Sequence, residues 1–302
     1  LPISFCGIAA LRFDSVIIAD WSASNLPTSA TNRANAIWIG CHDAEGAAEW
    51  HHRTRATAEA QIGTLIDTAV AAGRRLLIGF DFAFGYPGGF AMGLTGEARA
   101  PAVWRWLAAH IEDAPDNRNN RFAVAAAINA AFPSGPGPFW SHPSNQSWPG
   151  LPARRTGIDH AVLGLAETRR VEALARPAKS PFMLFNPGSV GSQSLLGLPM
   201  IHRLSRRPDT AVWPFAAPDA PVVLAEVYPS LLAAAVARLA LAAGLPADQA
   251  QVRLLSRAFW ALSQAGALSP LFQAPPEASE EGWILGAGHA GALSAALATV
   301  PA

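Results

Sequence analysis

The sequence predicts an α/β protein with a mixed five-stranded sheet in the order β-β-β-α-β-α-β-α. A large helical insertion separates the fourth and fifth strands. Three observations carry this. Short unbroken apolar runs at residues 16–19, 76–80 and 222–225 read as strands buried on both faces. Residues 56–73 carry apolar positions at helical spacing. Between residues 85 and 220, helical patterns and Pro/Gly-rich loops replace the strand signal. At 302 residues and 51% apolar, the chain can bury a sizeable core. It reads as a single domain, with a core at about 12–87 and 221–300 and the insertion at about 88–220.

Taken in order, "SVII" opens the first strand, and "NAIWIGC" and "AAEWHHR" flank the turn "HDAEG" as a hairpin. The helix over residues 56–73 aligns Ile62, Leu65, Ile66 and Val70 and closes on Gly73. A strand over residues 76–80 follows. Helices are predicted in "PAVWRWLAAHIE", "NRFAVAAAINAAF", "IDHAVLGLAETRRVEAL" and "SQSLLGLPMIHRL". The proline- and aromatic-rich stretch at residues 132–152 reads as an ordered functional loop, too long for a simple connection. "APVVLAE" returns the chain to strand, and "SLLAAAVARLALAAG" and "QVRLLSRAFWALSQAG" read as helices. A last helix is predicted in "EASEEGWILGAGHAGALSAALAT", its first turn carrying Glu280 and Glu281.

Composition excludes several classes. Charged residues are only 15% and net charge is zero, which argues against nonspecific coating of nucleic acid. The charge is nevertheless split: residues 85–220 hold 13 basic and 9 acidic side chains, and the flanks the reverse. Arginine outnumbers lysine 21 to 1, which with the heavy alanine usage points to codon bias. Two cysteines, Cys6 and Cys41, fit a reducing cytoplasm and exclude a thiolate metal cluster. Apolar runs are too short for a membrane span, and the start shows no basic leader of a signal peptide. There is no P-loop, no GxGxxG after a strand and no GxSxG.

Three strands end in a carboxylate, at Asp20, Asp81 and Glu226, and Glu281 is expected to open a helix beside them. Carboxylates gathered at one sheet edge repel one another unless cations sit among them. An all-oxygen set suits Mg²⁺ or Mn²⁺. Ser22 is placed to donate to a phosphate, or to close the turn after Asp20. Arg118 and Arg121 in "NRNNR", and Arg154 and Arg155 beyond an aromatic loop containing Trp140, His142 and Trp148, are candidates for phosphate and base contacts. Lys179 and the "GSVGSQ" turn, with Gln193, are candidates for an anion at a helix N-terminus. His51 and His52 are adjacent on a strand, so they face opposite ways and share no metal. His289, two helical turns beyond Glu281, is a candidate outer partner.

The element order and the segments "ADWS", "IGFDFAFGYP" and "EVYPS" resemble the family of predicted ribonuclease H-like nucleases, within the ribonuclease H-like superfamily. The resemblance covers about residues 15–87 and 222–302, with a weaker echo at residues 189–199. It implies a ribonuclease H-like sheet, with Asp20, Asp81 and Glu226 as metal ligands and Glu281 completing the site. It departs from the family pattern in two places. Ala83 stands where an Asp-x-Pro segment has proline, and "EEGWILG" stands where the last helix has Asp-Ala. The function expected is metal-dependent phosphodiester hydrolysis in the cytoplasm, on nucleic acid or a nucleotide-like phosphate. Two alternatives stand beside it. One is a nucleotide-binding phosphotransferase or cofactor-biosynthesis enzyme with a molybdopterin- or nucleotide-type ligand. The other is an inactive ligand-binding module of the same fold.

Overall fold

The structure is a computed structural model in which residues 11–31 and 36–299 are described. Its centre is a six-stranded mixed sheet in the order β3-β2-β1-β4-β6-β5. β1 (Ser15–Asp20), β2 (Ile37–Asp43) and β3 (Gly46–His52) form an antiparallel meander. β4 (Leu76–Phe80) lies parallel to β1, β6 (Val222–Glu226) parallel to β4, and β5 (Thr210–Val212) parallel to β6. β1, β4 and β6 are buried throughout, as their unbroken apolar runs require. The sheet thus has six strands where five are expected. The extra one, β5, is three residues at the edge, contributed by the insertion and too short to register as a periodic run.

Helices cover both faces. α1 (Arg55–Ala71), capped by Thr54, packs on the face that carries Ile17, Ile39, Ile78 and Leu224. The insertion adds α2 (Phe90–Thr95), α3 (Ala100–His110), α4 (Arg121–Ala130) and α5 (Gly191–Leu204) to that same core. It therefore shares one continuous hydrophobic interior with the sheet. The other face, with Val16, Ile18, Leu77 and Val223, is covered by α6 (Ala233–Ala243), α7 (Ala247–Gln264) and α9 (Ala290–Ala296). α7 lies across β1 and β2. Gly40 permits it: a Cβ there would sit 2.9 Å from the backbone of Val252.

One predicted helix is absent and another is broken. Residues 158–169 form turns around Gly164, at φ +72°, and only a 3₁₀ turn at Arg170–Ala173 is helical. The last helix is split. α8 (Ala278–Glu281) is one turn and stops at Gly282, at φ +74°. An extended piece then bridges Ile284 to Glu226, and Gly286 and Gly288, also at positive φ, precede α9. Glu281 thus closes a short helix rather than opening a long one, and His289 caps α9 on a separate element. Among the described residues no helix is long and apolar enough to cross a membrane.

Candidate functional site

Because β1 and β4 are parallel neighbours, their C-terminal ends deliver Asp20 and Asp81 to one edge of the sheet. The backbone joins them further. The Trp21 N–H donates to Asp81 Oδ1 at 2.7 Å, and the Asp81 N–H donates to the Ala19 carbonyl at 3.3 Å. Burial raises the Asp20 carboxyl well above the usual carboxylate range, and the charges of Asp81 and Asp248 add to the shift. Asp81 is raised to about 7, chiefly by burial and then by Asp248, against the Trp21 N–H, which lowers it. Asp248 stands in the first turn of α7, where the helix dipole favours an anion.

These three aspartates line one cavity of about 850 Å³. Ser22 and Asn25 after β1, residues 184–190 leading into α5, Ser192 and Gln193 in its first turn, Arg121 of α4, and Tyr228 to Ser230 after β6 also line it. Arg55, buried at the start of α1, sets the loop after β1. Its Nη1 donates to the Ser22 and Ser24 carbonyls, at 3.0 and 2.9 Å. Its Nε and Nη2 grip both oxygens of Asp113 at 2.6 Å. Ser24 Oγ donates to the Leu26 carbonyl and closes the turn.

Glu226 and Glu281 are occupied otherwise. Arg169 binds both oxygens of Glu226, at 2.7 and 2.6 Å, and the Phe84 N–H donates to Oε2 at 3.0 Å. The same guanidinium binds Glu172 at 2.6 Å, and all three side chains are at most 5% exposed. Glu281 accepts the Gly88 N–H at 3.1 Å and the Arg170 N–H at 2.9 Å, while Glu280 accepts from Gly89 and Ala91. These acids tie the loop that follows Asp81 to β6 and α8. The four-carboxylate cluster read from the sequence is replaced by a cavity-facing group of aspartates and a separate buried ion network. Among the described residues no set of three or more His, Cys, Asp or Glu side chains is arranged to hold a metal ion. Asp20 and Asp81 fit a cation that takes one or two carboxylates and fills its remaining positions with water and phosphate, as Mg²⁺ does.

Of the other candidates, Ser22, Arg121 and Gln193 line the cavity. Arg118 is exposed and pairs with Asp116 at 2.8 Å, and exposed Arg155 pairs with Glu167. Arg154 and Lys179 are exposed and do not line the cavity. Trp140 and Trp148 pack into the core, Trp148 against Phe122, so neither is a free stacking platform. Sequence reasoning passed over Arg55, Asn25, Arg169 and Asp248. Only Asp248 had a local signal, as an acid in the first turn of a helix.

Glu281→Gln is expected to cost about 1–3 kcal/mol in denaturant unfolding, because Gln keeps one acceptor for two backbone donors and leaves a part-buried N–H unpaired. Mn²⁺ binding should be unaffected.

The raised Asp81 carboxyl makes a second prediction. Its folded value lies above its unfolded one, so its contribution to stability is full below about pH 4. That contribution is lost as pH rises through about 7. His42, His52, His160 and His202 are shifted down by burial and act in the opposite sense. The comparison with Asp81→Asn isolates the one carboxyl. Melting curves in chelator should show the variant gaining on the parent protein from pH 5 to pH 8.

Comparison with known proteins finds no match to this chain: no family model, no curated protein and no solved structure.

Proposed function

We propose that this protein is a divalent-cation-dependent phosphodiester hydrolase of ribonuclease H-like architecture, acting on a nucleotide-sized phosphate compound. The observation that carries the reading is the pairing of buried Asp20 and part-buried Asp81 at adjacent parallel strand ends, repelling one another inside a cavity. Buried acids held at unfavourable protonation mark a functional site, and a cation relieves their repulsion. The antiparallel meander followed by parallel β4 and β6 supports the ribonuclease H-like assignment.

Asp20 and Asp81 would hold Mg²⁺ or Mn²⁺, with Asp248 adding negative charge nearby. When bound, such an ion polarises a phosphoryl oxygen and eases formation of the attacking hydroxide. The Trp21 N–H fixes the Asp81 carboxylate, and Arg55 fixes the loop that carries Ser22 and Asn25 to the ligand. Cavity size supports a small ligand over a duplex, since about 850 Å³ falls in the range typical of small-molecule sites, roughly 300–1,000 Å³. The placement of Arg118, Arg154, Arg155 and Lys179 away from the cavity supports it too.

The test is hydrolysis of bis(p-nitrophenyl) phosphate in Mn²⁺ or Mg²⁺ against a chelator control. Cation-dependent release of p-nitrophenol is the expected result. Tight nucleotide binding with no hydrolysis in any divalent ion would instead support the phosphotransferase alternative.

A further inference from the structure

Arg121 is 7% exposed, yet among the described residues no carboxylate pairs with it. Its neighbour Arg55, 2% exposed, shows the usual solution, a two-pronged pair with Asp113. Around Arg121 the partners are neutral. Nε donates to Ser192 Oγ at 2.9 Å, and Nη1 donates to Asn119 Oδ1 at 2.8 Å and to Asn25 Oδ1. Phe122 supports one face of the guanidinium, its ring centroid 4.3 Å away. Nη2 makes no hydrogen bond among the described residues, and the side chain lines the cavity.

The position is electrostatically adverse for a cation. Arg121 is the first residue of α4, where the helix dipole disfavours positive charge. Burial and the charge of Arg55 lower its affinity for a proton, to about 10, with the charge of Asp113 opposing them in part. A buried guanidinium with no carboxylate in direct contact is costly, and an incoming anion reduces the cost. The fourteen-residue helix α5 starts at the same place: Ser192 of its first turn holds Arg121, and Gln193 lines the cavity. Its N-terminus adds backbone donors and positive potential.

We propose that Arg121 and the start of α5 form a phosphate subsite that receives a non-reacting phosphate group of an organic ligand, apart from the Asp20–Asp81 pair. The inference rests on reading this cavity as the ligand site, and it adds the class of ligand: one that carries a phosphate beyond the group attacked. Arg121 would give Nη2 to the phosphate while the amides and hydroxyl keep the guanidinium in place. A planar fork suits this role better than an ammonium.

The test is calorimetric binding of inorganic phosphate and of adenosine 5′-monophosphate in chelator, so that no cation contributes. The parent protein should bind both, the nucleotide more tightly. Arg121→Gln should weaken both at least tenfold, about 1.4 kcal/mol. Gln193→Glu, at a half-buried position, places a negative charge in the cavity wall without touching the guanidinium's partners and should do the same. If Arg121→Gln does not fold, Gln193→Glu decides alone. Asp81→Asn should retain or improve phosphate affinity, since it removes a negative charge.

Wild-type indifference to both probes at millimolar concentration overturns the proposal. So does unchanged binding in folded Arg121→Gln and Gln193→Glu, or a nucleotide that binds no better than phosphate itself. Phosphate binding through Arg121 with no hydrolysis in any cation would sustain the subsite and remove the hydrolase reading. Hydrolysis with phosphate binding indifferent to Arg121 would do the reverse.

Discussion

Asp81→Asn should abolish cation-dependent hydrolysis and, in chelator above neutral pH, make the protein more stable. Asparagine is nearly isosteric and its Oδ1 still accepts the Trp21 N–H, so local geometry is retained. What disappears is a part-buried, poorly solvated negative charge close to Asp20 and Asp248. Without a cation that charge only opposes folding, so its removal raises the melting temperature. Under the proposed function the same charge would be needed to hold the ion. Loss of an outer partner of a metal ligand already costs 10–100-fold in metal affinity or activity, and loss of the ligand itself should cost at least about 10²-fold. Asp20→Asn should behave alike. Added Mn²⁺ should raise the melting temperature of the parent protein and not of either variant, because only a state that binds the ion is stabilised by it. A variant that loses activity and stability together would mean these acids serve the fold.

Arg169→Met should be the most destabilising single change around the site, at about 3–5 kcal/mol, read by urea unfolding. The substitution leaves Glu172 and Glu226 buried without their shared cation, and the Glu281 carbonyl without its donor. Burial and the charge of Glu226 already raise the Glu172 carboxyl despite Arg169, so the arrangement has little reserve. Glu226→Gln should be milder and of the same kind: lower stability, with Mn²⁺ binding retained. That pair of results separates two roles that a strand-end carboxylate can have. A glutamate serving a cation would lose ion binding on conversion to Gln while the fold stayed largely intact.

The same contrast explains how much was legible in the sequence. β1, β4, β6 and α1 follow from local pattern, and so does the meeting of Asp20 and Asp81, since two buried parallel runs ending in acids must share an edge. Glu226 presents the same local signal as Asp20, a carboxylate closing a buried strand. What distinguishes it is Arg169, 57 residues away in a segment whose apolar spacing reads as helix. No periodicity encodes that contact. Asp248 enters the site only because α7 can lie against β2 over Gly40, a close approach between elements far apart in sequence. The break after Glu281 was more accessible. Gly282, Gly286 and Gly288 all take positive φ, and three glycines in seven residues argue against a continuous helix. The charge excess of the insertion proved a poor guide, since four of the five basic candidates lie off the cavity and only buried Arg121 lines it.

The proposed function requires that Asp20 and Asp81, rather than Glu226 and Glu281, hold a divalent ion. Anomalous diffraction at the manganese edge, from crystals grown with Mn²⁺ and inorganic phosphate, tests it most directly. A peak is expected between the Asp20 and Asp81 carboxylates, with Arg169 still bound to both oxygens of Glu226. A peak at Glu226 with Arg169 displaced, or no peak at the ends of β1 and β4 at saturating Mn²⁺, would contradict it.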